Sequence, residues 1–192
     1  MPTSLEDAVK EMMKKIRERI PAKKECVNVY ITGGIAIYFH TASRVSKDLD
    51  AIIDQDIAIP SKLKVIWMNK EGHFEELAYD HNYTPTLGIM HEDYDKRAIH
   101  LFTIDTKLKV YILAPEDLVI SKLSRFGEQD QEDIKRIIQN DLISKNSLER
   151  LAKDAINVAG AGRPETLQLH LSLVLEMLDE VSFNFTQNST KS

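Results

Sequence analysis

Apolar side chains recur every three or four residues at Leu5, Ala8, Val9, Met12, Met13, Ile16 and Ile20, the spacing of a single buried helical stripe. Ser4 followed by Asp7 resembles a capping box that opens this helix, and Pro21 closes it. The period then changes. Residues 27–32 form a short β-branched and aromatic run closed by Gly33-Gly34, and residues 35–41 return to a helical pattern, so the order is strand, glycine turn, helix. An apolar run at 49–53, bounded by acidic residues, predicts a second strand, and 64–68 a third. Between Gly72 and Asp95 the pattern is weak: Pro85, Gly88 and many polar residues predict loop, or edge strands around 86–90. Residues 100–104 and 108–113 alternate as a hairpin with Asp105-Thr106-Lys107 in its turn.

Beyond the hairpin the period is helical throughout. Pro115 stands where a first-turn proline belongs, with Glu116 and Asp117 placed to complement the helix dipole, and Gly127 stops a helix predicted to run to Phe126. Further helices are predicted over 130–139, 147–158 and 164–181, the last with Leu167, Val174, Leu175, Leu178 and Val181 on one stripe. The expected architecture is therefore α/β (α+β): a mixed sheet with flanking helices over residues 1–126, a helical segment packed on it over 127–183, and a disordered polar tail over 184–192.

Composition narrows the class. With 43% hydrophobic and 29% charged residues in 192, the chain has the balance of an ordinary globular domain. A net charge of −5 argues against a surface that embraces nucleic acid throughout. Cys26 is the single cysteine, which excludes an intramolecular disulfide and a cysteine-based zinc cluster and fits a reducing, cytoplasmic setting. No apolar run is long enough for a signal peptide or a membrane span, so no membrane partner is expected.

The candidate chemistry lies between Tyr30 and Asp50. A glycine pair after a strand lets the backbone approach a phosphate closely, and the helix that follows offers unpaired N–H groups and the positive end of its dipole. Asp48 and Asp50 stand two residues apart at the start of the next predicted strand, where i and i+2 side chains share a face and can reach one ion. Carboxylate oxygens suit Mg²⁺ (or Mn²⁺), whose remaining positions are filled by water and substrate phosphate. A nucleoside triphosphate seated at Gly33 and Gly34 would supply that phosphate. Histidine metal sites and hydrolase nucleophile elbows have no comparable signature: His81, His91 and His100 lack the i, i+4 spacing.

This stretch resembles the nucleotidyltransferase superfamily, whose signature is Gly-Gly or Gly-Ser opening a helix and Asp-x-Asp on the next strand. Arg44, Ser46, Asp48 and Asp50 are similar to the pattern of the branch containing AbiEii-type toxins and small nucleotidyltransferase-like proteins. A second likeness covers Pro115-Glu-Asp-Leu118, Ser121-Lys122-Leu123 and the acidic segment from Asp130 to Asp133. The resemblance implies a Mg²⁺-dependent transfer of a nucleoside monophosphate from an NTP to RNA or protein. It also implies the toxin role of a toxin–antitoxin pair, with an antitoxin protein as partner. Arg44 and Ser46 would join the nucleotide site, and Asp130 or, as the weaker choice, Asp133 would join the active site. Lys122 shares a helical face with Leu118, Val119 and Phe126 and is expected to neutralise triphosphate charge. Many members of the superfamily carry a third carboxylate on a later strand. The nearest candidate here is Asp105, which the hairpin pattern places in a turn. The other reading is a catalytically silent nucleotide-binding or protein-interaction module, which the want of a third acid favours.

Overall fold

The structure, a computed structural model, describes residues 1–43, 46–80, 88–159 and 164–189. The chain divides into two compact units, Met1–Thr84 with Arg97–Leu113, and Pro85–Lys96 with Ala114–Ser192.

The first unit begins with α1 (Leu5–Arg17), whose N-cap Ser4 accepts the Asp7 N–H on its Oγ at 3.1 Å. Leu5, Ala8, Val9, Met12, Met13 and Ile16 are at most 2% exposed, so the predicted stripe is the buried face. Each large side chain there contributes about 1.5–3 kcal/mol of burial. β1 (Val27–Ile31) leads directly into α2 (Gly33–Thr41), followed by β2 (Asp48–Leu49), β3 (Ala51–Ile53), β4 (Lys64–Met68) and β5 (Phe74–Tyr79). The hairpin β6 (Ile99–Ile104) and β7 (Leu108–Ile112) completes the first unit; the single turn before it, α3 (Tyr94–Arg97), belongs up to Lys96 to the second. Four strands form one mixed sheet in the order β3-β1-β7-β6, with β1 parallel to β7 and the other pairs antiparallel. A second sheet runs β2-β5-β4, with β2 parallel and β4 antiparallel to β5. Val27, Val29, Ile31, Leu108, Val110 and Ile112 alternate inward and are at most 4% exposed, the period of two expected of strands with one core face.

Three sequence expectations change here. The strand predicted over 49–53 is broken at Asp50: its first part pairs with β5 and its second with β1. The Asp50 carbonyl accepts the Thr32 N–H at 2.9 Å while the Leu49 carbonyl accepts that of Asp80 at 3.0 Å, so the chain changes partner, and sheet, at this residue. β5 was not anticipated. Phe74-Glu-Glu-Leu-Ala-Tyr79 is rich in helix formers and has one fully buried residue, Leu77; pairing with β2 and β4 overrides its propensity. Of the edge strands expected around 86–90, Gly88–Met90 is not strand, and Thr86 and Leu87 lie outside the described residues.

The second unit is helical: α4 (Pro115–Lys122), α5 (Glu128–Gln139), α6 (Lys145–Ala159) and α7 (Pro164–Ser189). α4 packs on α5 and α6, and α7 packs on the same two helices, around Leu118, Val119, Leu123, Ile134, Leu148 and Val174. α4 ends at Lys122 rather than Phe126, because Phe126 adopts a left-handed φ of 48°. Its ring is buried and stacks on His170 at 4.4 Å and 15°, packing that holds an otherwise unfavourable backbone region. α7 continues to Ser189 instead of ending near Val181, and so runs through most of the tail expected to be disordered; no Gly or Pro interrupts it.

Candidate functional site

Gly33 is the pivot of the first unit's site. It has φ +60°, and a Cβ there would lie 2.0 Å from Oδ2 of Asp50, 2.9 Å from its Cγ and 3.2 Å from its own Cβ. Any side chain would collide with the carboxylate, and the positive φ adds strain for a residue other than glycine. The glycine therefore serves two ends, turning the chain from β1 into α2 and admitting an aspartate against the helix start. Thr32, at the N-cap of α2, makes no side-chain cap bond. The first-turn N–H groups of a helix that lacks such a cap are suited to an anion.

Asp50 sits at the crossing between sheets, half-buried, and Asp48 stands exposed at the start of β2. Ser46 braces that start. Its Oγ donates to the Asp48 carbonyl at 3.1 Å and accepts the Asp48 N–H at 3.4 Å, a local side chain–backbone turn. Arg44 lies outside the described residues.

The parallel register of β2 and β5 aligns Asp48 with Ala78 and Leu49 with Tyr79, so the next residue, Asp80, follows β5 beside the Asp50 crossing. Tyr79 reports the neighbourhood: burial first, then the charges of Asp80 and Asp50, push its phenol above the ordinary tyrosine range. Local pattern does not mark Asp80, because β5 carries no clear strand alternation of its own. The available signal is an acid three positions beyond the one buried residue, Leu77, at the end of a half-exposed strand in a segment without clear period. Asp105 is placed elsewhere. It occupies the β6–β7 turn with φ +48°, at the Val27–Leu108 end of the β1–β7 pair, whereas Gly33 follows the Ile31–Ile112 end.

Among the described residues no group of three His, Cys, Asp or Glu side chains could enclose a metal ion. The donor chemistry still fits a hard cation of the Mg²⁺ kind, which is held by one or two carboxylates and completes its shell with water and phosphate.

In the second unit Lys122, Asp130 and Asp133 come together. The Lys122 ammonium donates to Asp130 Oδ1 at 3.1 Å and Asp133 Oδ2 at 2.9 Å, and its side chain is 8% exposed while the two carboxylates are 1% and 0% exposed. Arg125 holds Asp130 through two bonds of 2.7 Å, Arg136 donates to Asp133 at 3.0 Å, and the Gly127 N–H reaches Asp130 at 3.3 Å. Burial on its own would raise the Asp130 pKa and is the largest single influence. The Arg125 bonds and the Lys122 charge together outweigh it and hold the carboxyl below its usual range.

A mixed α+β fold in which a strand–glycine–helix turn abuts Asp50 is of the nucleotidyltransferase type. The chain belongs to the family described as nucleotidyltransferase of unknown function (DUF6036), whose family model matches residues 7–170. No curated protein and no solved structure matches it.

Proposed function

We propose that the protein is a Mg²⁺-dependent nucleotidyltransferase that moves a nucleoside monophosphate from an NTP to an acceptor. The observation that carries this reading is the contact between Gly33 and Asp50, where a backbone bare of Cβ brings a helix start and a carboxylate together. Gly33, Gly34 and the first turn of α2 would seat the phosphates, and the family likeness adds Ser46 and Arg44 to the nucleotide-binding residues. Asp48 and Asp50 would hold the cation, with Asp80 adjoining. Mg²⁺, when bound, supplies charge neutralisation for the phosphates. The chain's own part is positioning: β2 carries Asp48, the step from β2 to β3 carries Asp50, and the glycine turn sets the anion seat against it.

Lys122 and Asp130 enter this reading in a changed form. An ammonium already bonded to two buried carboxylates is suited to holding α4 and α5 together, and to neutralise a triphosphate it would have to give up one of them. The acceptor class implied by the toxin likeness is RNA or protein, and the implied partner is an antitoxin. The second reading, a silent nucleotide-binding module, is favoured by the want of a three-carboxylate cluster among the described residues.

The test is thermal melting with and without Mg·NTP for the wild type and for Asp48→Asn/Asp50→Asn, with pyrophosphate release followed in parallel. Ligand at 100 times Kd would raise wild-type stability by about 2.7 kcal/mol, and the double variant should fold normally without gaining this. Equal stabilisation of both proteins overturns the carboxylate site. Stabilisation without pyrophosphate release, over a panel of RNA and protein acceptors, selects the silent module.

A further inference from the structure

Helix α7 is held in the second unit by one stripe, Leu167, Leu171, Val174 and Leu178, each at most 8% exposed. α5 and α6 are the helices against which it packs. That stripe accounts for the fold of the helix, but not for Leu169 and Leu173, which are 59% and 37% exposed on the other side. Spacings of four, three and four residues set Leu169, Leu173, Glu176 and Glu180 in one seam along that outer side.

The seam carries charge of one sign. Over Pro164–Ser189 the sequence has Glu165, Glu176, Asp179 and Glu180 and no lysine or arginine. Asp179 takes its cation from Lys145 of α6 at 2.6 Å, and His170 is committed to the Leu123 carbonyl and the Phe126 ring. Glu176 and Glu180 are exposed, and among the described residues neither is in ion-pair contact with a lysine or arginine. Both lie well beyond the first turn, where the helix dipole no longer favours an acid, and as an i, i+4 pair they repel each other. Neither α7 nor its packing gains from this seam. Exposed leucines continued by unmatched carboxylates suit an apolar stripe bordered by cations. A second copy of the chain does not supply one. Two α7 helices paired in parallel set Glu176 against Glu176, and paired antiparallel with leucine on leucine they bring Glu165 to Glu176, with no cation on either helix. An anionic membrane or a polynucleotide is repelled by the same charge.

We propose that the outer seam of α7 is a docking surface for a basic amphipathic helix of a partner protein. Apolar side chains of that helix cover Leu169 and Leu173, and its lysines or arginines meet Glu176 and Glu180. The inference does not depend on the proposed transfer chemistry, because it concerns a helix of the second unit and is read by binding.

The experiment titrates the full chain, ¹³C-labelled at leucine methyls, with a synthetic peptide of about three heptads that has leucine at a and d and lysine at e and g, where mutual repulsion keeps it single. The Leu169 and Leu173 methyl resonances should shift on saturation. Leu169→Ala/Leu173→Ala keeps helix propensity and should weaken the peptide roughly 10-fold or more. Glu176→Gln/Glu180→Gln should weaken it a few-fold and lessen its dependence on salt, and a peptide with glutamate in place of lysine should not bind. Glu18→Gln/Glu71→Gln removes the same charge from exposed positions of the first unit and should leave the affinity unchanged. Urea unfolding confirms that each variant is folded. Unmoved methyl resonances, or equal weakening by the Glu18 and Glu71 changes, overturn the proposal. Loss in the leucine variant with none in the Glu176 and Glu180 variant overturns the basic character of the partner. Sedimentation that shows a dimer of the wild type abolished by Leu169→Ala/Leu173→Ala gives the seam to a second copy and overturns it as well.

Discussion

The two units use aspartate in opposite ways. In the first, Asp48 is exposed and Asp50 half-buried, set against a glycine whose missing side chain leaves room for the carboxylate. In the second, Asp130 and Asp133 are 1% and 0% exposed and bonded to Lys122, Arg125 and Arg136. An accessible carboxylate pair can take its counter-charge from a ligand. A buried pair must have it supplied by the protein, because an uncompensated charge in the interior is costly. The contrast separates an accessible carboxylate pair from one enclosed together with its counter-charges.

The sharpest way to break this contrast is to remove the shared cation of the second unit. Lys122→Met preserves the apolar stem but leaves two buried carboxylates facing each other without it, and should cost about 3–5 kcal/mol in urea or thermal unfolding. The helical pattern gives this ammonium to a triphosphate and does not reveal the two carboxylates that it bonds. Adding Asp130→Asn and Asp133→Asn should restore part of the loss. A Met variant as stable as the wild type would remove the distinction between the two units.

Gly33→Ala probes the first unit. Its Cβ would have to displace the Asp50 carboxylate in a left-handed backbone, so a loss of about 1–3 kcal/mol is expected. Stabilisation by Mg·NTP should disappear with it. Retention of full ligand stabilisation would separate the glycine from the nucleotide site.

Acid titration sharpens the comparison further. The folded-state pKa of Asp130 is lowered, so its stabilising contribution is complete above the unfolded carboxylate value, about 3.9, and is lost as pH falls through the lower folded value. Asp130→Asn should therefore flatten the acid limb of stability against pH measured by urea unfolding. An unchanged limb would show that the network does not respond to acid as its geometry requires.

The smallest effect lies in the first unit but away from the carboxylates. Tyr38 donates to Glu6 at 2.8 Å, and burial followed by that bond pushes its phenol up to about 12. The protonated form is favoured by folding, so the stabilisation is present below the ordinary value of 10.0 and is lost as pH rises toward about 12. Tyr38→Phe should cost under about 1 kcal/mol at neutral pH and remove this alkaline dependence. A wild-type curve flat between those values would exclude the bond from the folded state in solution.

Much of this molecule is legible from local pattern. The α1 stripe, β1, the glycine turn, β4, the hairpin and the four later helices follow from periodicity, capping and proline placement, because each depends on neighbours within a few turns of chain. Gly33, Gly34, Asp48 and Asp50 are legible for the same reason, lying within one strand–turn–helix–strand passage. What the pattern could not reveal depends on partners distant in sequence. β5 becomes a strand only by pairing with β2 and β4, which brings Asp80 beside Asp50. Asp50 breaks its strand because Thr32 and the β1 edge claim one side of it while β5 claims the other. Phe126 leaves the helix because His170, far along the chain, receives its ring, and the position of Arg125 and the enclosure of Lys122 follow from that corner. Sequence alone determined which residues carry charge and where the chain turns; tertiary packing decided which charges are buried together and which stay in solvent, since burial belongs to the assembled core and to no single segment.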